Sequence, residues 1–444
     1  MRPNLNLMKA TLTGALGGLL FGFDTIVISG AIDSLVRLYS LTPQGKGLTV
    51  AIGLIGTVAG ALGAGHVGQK LGGRETLRIT AVLYVAAAVG CAVAWGWHSF
   101  LFFRFVGGLG IGASSVLGPV YIAELAPARW RGRLVGAFQF NVVFGILVAY
   151  TSNYFIRTLQ LGPLEWRCQV GVAALPAFGF LALLFGIPRS PRWLVSKNRN
   201  EEALQVLHLM GELQPEAELA DIQSALSEEH ATAHEPVFQR KYFYPLFLAI
   251  SIGAFNQLAG INAILYYLNS IFAAAGFSQV SGDQQAIAIG FTNLVFTIVG
   301  MSLIDRLGRK FLLLIGAVGT ASCLAAVSWL FASNTHPGAL VWVLIIYIAF
   351  FALSQGAVIW VYIGEVFPTA VRSKGQGVGN ASHWIMNTLI ALEFPVLVEH
   401  IGRSAPFTFF AAMTVVQFVV VLVVYPETKG QSLEELQRRL VRAE

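Results

Sequence analysis

Tyr121-Ile-Ala-Glu124-Leu-Ala-Pro127-Ala-Arg-Trp-Arg131 returns 241 residues later as Tyr362-Ile-Gly-Glu365-Val-Phe-Pro368-Thr-Ala-Val-Arg372. Two further pairs keep nearly the same offset. Lys70-Leu-Gly72-Gly-Arg74 matches Arg306-Leu-Gly308-Arg-Lys310 at 236, and Pro188-Arg-Ser-Pro-Arg192 loosely matches Pro426-Glu-Thr-Lys429-Gly430 at 238. Chance does not hold one spacing through three pairs, so the chain reads as two halves of common ancestry.

Composition names the solvent of those halves. Of 444 residues, 55% are hydrophobic and only 12% charged, against about 25% charged in soluble domains. The mean hydropathy is +0.67. These values exclude a soluble enzyme, a disordered chain and a coiled coil, and they predict a polytopic helical membrane protein. Cys91, Cys168 and Cys323 are scattered, so neither a disulfide framework nor a metal site is expected. No Walker loop, nucleophile elbow or HExxH helix is present, so an enzyme is not expected, nor a cofactor.

Outward from the repeats, charges punctuate long uncharged runs. There are 23 residues between Lys46 and Lys70, 19 between Arg104 and Glu124, 23 between Arg133 and Arg157, and 21 between Arg167 and Arg189. After Lys241 the runs measure 41, 21, 54, 18 and 23 residues, the 54 divided by the turn-like Asn334-Thr-His-Pro-Gly338. With spans near 9–32 and 78–97 the total is twelve, six on each side of a polar middle. The first span is too long for a cleaved signal peptide and contains Asp24.

The expected division is an N-terminal six-helix bundle over 1–188, a cytoplasmic linker over 189–241, a C-terminal bundle over 242–427 and a tail over 428–444. Apolar residues at helical spacing in the linker (Leu204, Leu207, Met210, then Leu219, Ile222, Leu226) predict short amphipathic helices. On this topology 23 Lys and Arg fall on the side of the termini and 5 on the other. That asymmetry places both termini in the cytoplasm. The net charge of +6 is thus topological and calls for no nucleic acid. The sole sequon, Asn380-Ala-Ser382, falls inside a span, which points to a bacterial inner membrane.

Two places inside the spans carry polar chemistry. Asp24 sits mid-span and Arg104 is the one basic residue expected within the membrane. Burial favours a neutral carboxyl and a neighbouring guanidinium favours a carboxylate. The pair is therefore either a proton-coupling device or a static tie between the first and fourth spans. Span seven carries Asn256, Gln257 and Asn262, with Gly260 between and Tyr267 beyond. Carboxamides donate and accept together, which suits a hydroxyl-covered neutral ligand, or equally interhelical hydrogen bonding.

These motifs, with Gly17-Gly-Leu-Leu-Phe-Gly-Phe-Asp24, Arg104-Phe-Val-Gly-Gly108, Gln257-Leu-Ala-Gly-Ile-Asn262 and Asp305-Arg-Leu-Gly-Arg309, resemble the sugar porter family of the major facilitator superfamily over nearly the whole chain. That family includes bacterial proton-coupled xylose and glucose symporters and mammalian facilitative glucose transporters. The resemblance implies an all-α membrane fold of twelve transmembrane helices in two pseudo-symmetric bundles. It implies import of a monosaccharide with a proton by alternating access, probed against a facilitative uniporter and a non-transporting sugar sensor. The partners implied are sugar, proton and bilayer, with a monomeric chain. It places Gln257 and Asn262 on the sugar, with Gln139, Asn293, Trp360, Phe21 and Trp384 at other contact positions. Asn256 stands where a glutamine is usual, and His383 where an Asn or Gln is usual, which leaves the identity of the sugar open. The resemblance also makes a cytoplasmic gate of Arg74, Glu124, Arg131, Asp305, Arg309, Glu365 and Arg372. In its first half Gln69, Gly73 and Arg189 depart from the family pattern, so that half is expected to be the weaker.

Overall fold

The computed structural model describes residues 4–232, 235–334, 336–368 and 371–431, together with Leu436 and Leu440. Part of the expected tail lies outside the described residues. Among the described residues all regular structure is helical, and twelve segments are long and apolar enough to cross a membrane. The protein is a multi-pass helical membrane protein.

Spans one to five are the single helices α1 (Leu5–Tyr39), α2 (Pro43–Leu71), α3 (Gly73–Ala92), α4 (Trp97–Leu125) and α5 (Ala128–Thr158). Span six is assembled from α6 (Glu165–Gly171) and α7 (Ala174–Leu183). The linker holds α8 (Pro191–Ser196), α9 (Asn200–Met210) and α10 (Pro215–Thr232). Leu194, Val195 and Ala203 form a small apolar cluster there, joined by Leu219, Ile222 and Leu226. The seventh span is broken into α11 (Phe243–Leu258), α12 (Ile261–Tyr266) and α13 (Leu268–Ala274). Then come α14 (Gln279–Leu307) and α15 (Arg309–Ser333). In span ten, α16 (Pro337–Phe351) passes through a π segment, Ala352–Gly356, into α17 (Ala357–Glu365). The last two are α18 (Arg372–His400) and α19 (Ala405–Val423).

The chain forms two compact units. One comprises Met1–Ala31 and Ile52–Ala233; the other comprises Ile32–Ala51 and His234–Glu444. The C-terminal end of α1 and the N-terminal end of α2 thus group with the second unit. There Lys46 Nζ lies 2.9 Å from Asp33 Oδ1 and 2.9 Å from Ser270 Oγ, and Ser270 donates to Asp33 at 2.7 Å.

Each unit is apolar outside as well as inside. Leu62 is 72% exposed, Phe185 67% and Val423 75%, an arrangement that only hydrocarbon solvates without loss. Lipid supplies no hydrophobic drive between helices, so close backbone packing through small residues replaces it. A Cβ on Gly108 of α4 would fall 2.0 Å from the Gly53 carbonyl of α2, and one on Gly22 of α1 would fall 1.9 Å from the Val142 carbonyl of α5.

The duplication is visible atom by atom. Gly72 (φ 88°, ψ 156°) and Gly308 (φ 91°, ψ 160°) hold the same left-handed turn in the two loop motifs. Tyr121 donates to the Pro188 carbonyl at 2.7 Å, and Tyr362 to the Pro426 carbonyl at 3.2 Å. The repeats therefore conserve tertiary bonds as well as spacing.

Gly108→Ala is expected to destabilise the first unit by about 1–3 kcal/mol through overpacking, lowering the melting temperature of the detergent-purified protein. Gly63→Ala, whose added Cβ meets nothing within 4 Å, should melt like the wild type.

Candidate functional site

In the first unit Asp24 is 7% exposed and Arg104 5%, both within apolar helices. Arg104 Nη1 donates to Asp24 Oδ2 at 3.0 Å and to the Asp24 backbone carbonyl at 3.2 Å. Arg104 Nε has no partner among the described residues. One nitrogen therefore serves both contacts, and the fork of a bidentate pair is not used. Burying either charge alone is far more costly than burying the pair. The backbone carbonyl gives the guanidinium a second acceptor beside the carboxylate. Space for the pair comes from Gly107, where a Cβ would stand 3.5 Å from Asp24 Oδ2, and from Gly53, where one would stand 3.3 Å from Arg104 Nη2. Phe21, one helical turn before Asp24, packs with the first unit's apolar core, and Gln139 is half-buried on α5.

The second unit assembles a carboxamide cluster around the break in span seven. Gln257 Nε2 donates to Asn256 Oδ1 at 3.0 Å, and Asn262 Nδ2 donates to Gln257 Oε1 at 3.0 Å across the break. Gly260, at φ +81°, lets the helix stop and restart between them. His383 of α18 closes the cluster, both ring nitrogens 3.3 Å from Gln257 Nε2. Its ring lies 5.0 Å from that of Trp360 and 5.1 Å from that of Trp384. Trp360 remains 39% exposed. Asn293 is buried on α14. Tyr267 is placed differently. It is 1% exposed, donates to the Ala391 carbonyl at 2.7 Å and stacks on Phe394 at 5.2 Å.

At the span ends near the linker, the two halves of the charge set differ. In the second unit Glu365 accepts from Arg309 Nε at 3.2 Å, from Arg309 Nη2 at 2.8 Å and from Thr428 at 2.6 Å. Asp305 adds a contact at 3.1 Å. Glu427 accepts the backbone N–H of Arg309 at 2.9 Å and of Lys310 at 3.0 Å, capping the start of α15. Burial would raise the Glu427 carboxyl, but backbone donors from Lys429, Arg309, Lys310 and Thr428 outweigh it and hold it below the ordinary value of 4.5. Arg372 donates to the Phe367 carbonyl at 3.2 Å.

The first unit has Arg189 where the second has Glu427. Arg74 and Arg78 converge on Glu75 at 2.7 and 2.9 Å, with Arg189 at 3.6 Å. Arg131 reaches Glu218 of the linker at 3.8 Å, and Glu124 stands one residue before the end of α4. Glu75, Glu218, Glu427 and Thr428 are absent from the sequence-based gate. Glu427 was in view within the Pro-Glu-Thr-Lys-Gly motif, yet only the fold shows that its carboxylate meets backbone 118 residues away.

The comparisons with known proteins agree with this architecture. The family described as sugar (and other) transporter matches residues 10–440. The D-xylose-proton symporter of Escherichia coli (strain K12) is 34% identical, covering 97% of this chain and 95% of that protein. The arabinose-proton symporter of Bacillus subtilis (strain 168) is also 34% identical, over 95% and 92% of the two chains. The inward open conformation of the xylose transporter XylE from E. coli superposes with a TM-score of 0.87 at 32% identity, covering 98% of this chain and all of that one. The chain belongs to the sugar transporter family of the major facilitator fold, a family of transporters.

Glu427→Gln is expected to destabilise the second unit by about 1–3 kcal/mol, since it removes the charge from several backbone hydrogen bonds. Because the native carboxyl is held below 4.5, its contribution is complete above that pH and is lost as pH falls below it. Melting curves of wild type and variant in detergent should therefore differ at pH 7 and converge in acid. A constant difference would refute the assignment.

Proposed function

We propose that the protein imports a monosaccharide together with a proton, as the names of its symporter relatives suggest. The observation that carries the reading is the Asp24–Arg104 pair, buried and singly bonded within apolar helices. Arg104 has a second acceptor there in the Asp24 backbone carbonyl. Protonation of Asp24 and occupation of the carboxamide cluster together permit the two six-helix halves, 1–188 and 242–427, to rock.

Sugar binds at Gln257 and Asn262, with Asn256, Asn293 and Gln139 adding polar contacts. Trp360, Trp384 and Phe21 offer apolar faces to the C–H side of a pyranose ring. His383 occupies the place where a carboxamide would contact the ligand, and it sets which hydroxyl pattern is accepted. Tyr267 supports the site by packing. Arg74, Glu124, Arg131, Asp305, Arg309, Glu365 and Arg372 act as the inner gate, on the side where both termini lie in the cytoplasm of a bacterial inner membrane. The excess of Lys and Arg on that side supports this orientation.

In proteoliposomes with an imposed pH gradient, Asp24→Asn should abolish uphill sugar accumulation while leaving sugar exchange intact. Accumulation equal to wild type would remove Asp24 from the coupling role and favour uniport. His383→Gln should alter the ratio of KM values between pentoses and hexoses about 5–30-fold, the scale of one or two buried hydrogen bonds; an unchanged ratio in a competition series would dismiss His383 as a specificity residue.

A further inference from the structure

We infer that Tyr347 is a positioning residue for sugar binding, holding open the break that separates Gln257 from Asn262. This rests on those two carboxamides being the sugar ligands. Continuous helix would give the Ala259 carbonyl to the N–H of Ala263. Instead Gly260 turns left-handed at φ +81°, its N–H bonds back to the Gln257 carbonyl at 2.8 Å, and the helix restarts with Ile264 N–H on the Gly260 carbonyl at 2.9 Å. The Ala259 carbonyl is taken by Tyr347, whose hydroxyl donates to it at 2.7 Å from α16. Tyr347 is fully buried, so no bulk water competes for that carbonyl. On the opposite flank the Phe410 ring covers the turn. A Cβ at residue 260 would stand 2.3 Å from it, so glycine alone fits.

The same tyrosine ties this break to the other irregularity in the second unit. Tyr347 stacks on Phe351 at 6.4 Å and 28°, and Phe351 is the last residue before the π segment Ala352–Gly356. π segments mark places where a helix has given up regular bonding, often at functional sites. One side chain thus joins the residue that precedes the π segment of span ten to the opened turn of span seven. The carbonyl it holds lies two residues from Gln257 and three from Asn262. Losing the hydroxyl would return that carbonyl to Ala263 and wind the turn toward regular helix. The bond from Asn262 to Gln257 across the break depends on the turn staying open.

Tyr347→Phe keeps the ring stack and removes only the hydroxyl. It is expected to raise KM for the transported sugar about 5–30-fold with Vmax within about twofold, and to leave the pH dependence of uptake unchanged. In the purified variant, backbone hydrogen exchange over residues 259–264 should quicken or slow by more than threefold relative to α14, whether or not transport survives. A reference variant, Asn262→Ala, tests the ligand assignment itself. If Asn262→Ala raises KM and Tyr347→Phe changes neither KM nor exchange at 259–264, the positioning role is overturned and the ligand assignment stands. If Asn262→Ala leaves KM unchanged, the ligand assignment fails, and the positioning role fails with it.

Discussion

Hydrocarbon offers no hydrogen bonds, so each backbone carbonyl and amide of a span must find its partner within the protein. That constraint explains why the spans are almost wholly regular helix and why their few irregular turns carry meaning. Where span seven stops at Ala259, a tyrosine hydroxyl replaces the missing amide. Where α15 begins, the Glu427 carboxylate takes the exposed N–H groups of Arg309 and Lys310. At both places the partner is a side chain distant in sequence. The irregular places are thus also the places where helices are tied together, and there binding or gating chemistry can act on the backbone.

Side-chain charge obeys the same constraint with larger stakes. An isolated ion at mid-span costs at least several kcal/mol, so Asp24 and Arg104 need each other. Yet the contact uses one guanidinium nitrogen, with a backbone carbonyl as second acceptor. A static tie between helices would gain from the full fork seen between Arg309 and Glu365. The two pairs differ in geometry: a bidentate pair at a span end, and in the interior a pair that meets through one guanidinium nitrogen.

Much of this was legible in the sequence because it depends on composition and period. Twelve spans follow from uncharged runs, since a charge in lipid is expelled wherever it has no partner. The duplication follows from three pairs of motifs, and the structure returns it as matching turns at Gly72 and Gly308 and matching bonds from Tyr121 and Tyr362. The meeting of Asp24 with Arg104 was also readable, because mid-span charges are too few for that pairing to be ambiguous. Illegible were the contacts whose partners are common residues or bare backbone. Tyr347 is one aromatic among many in an apolar run, and nothing in its neighbours reveals that it faces a carbonyl 88 residues away. Glu75 reads as a helix-start acid until three arginines are seen around it.

The two halves have kept their scaffold and diverged in their charges. The Tyr-to-Pro bonds and the left-handed glycines fix where the loop motifs sit. With that frame held, a single change after the proline reverses the local chemistry. Glu427 in the second unit binds backbone amides directly. Arg189 in the first joins Arg74 and Arg78 on one carboxylate, Glu75, and lies over the Trp193 ring at 5.1 Å. Three guanidinium groups share this one acid, and Arg74 and Arg78 donate to the Ile187 and Leu184 carbonyls as well. The covering of Gly72 passes instead to Trp193, which a Cβ there would meet at 2.9 Å and whose indole donates to the Gln69 carbonyl at 3.2 Å. An aromatic lid gives close packing without directed charge. The asymmetry between the halves is therefore one of bond type: the second unit fastens its loop by ionic hydrogen bonds, and the first by packing and a shared acid.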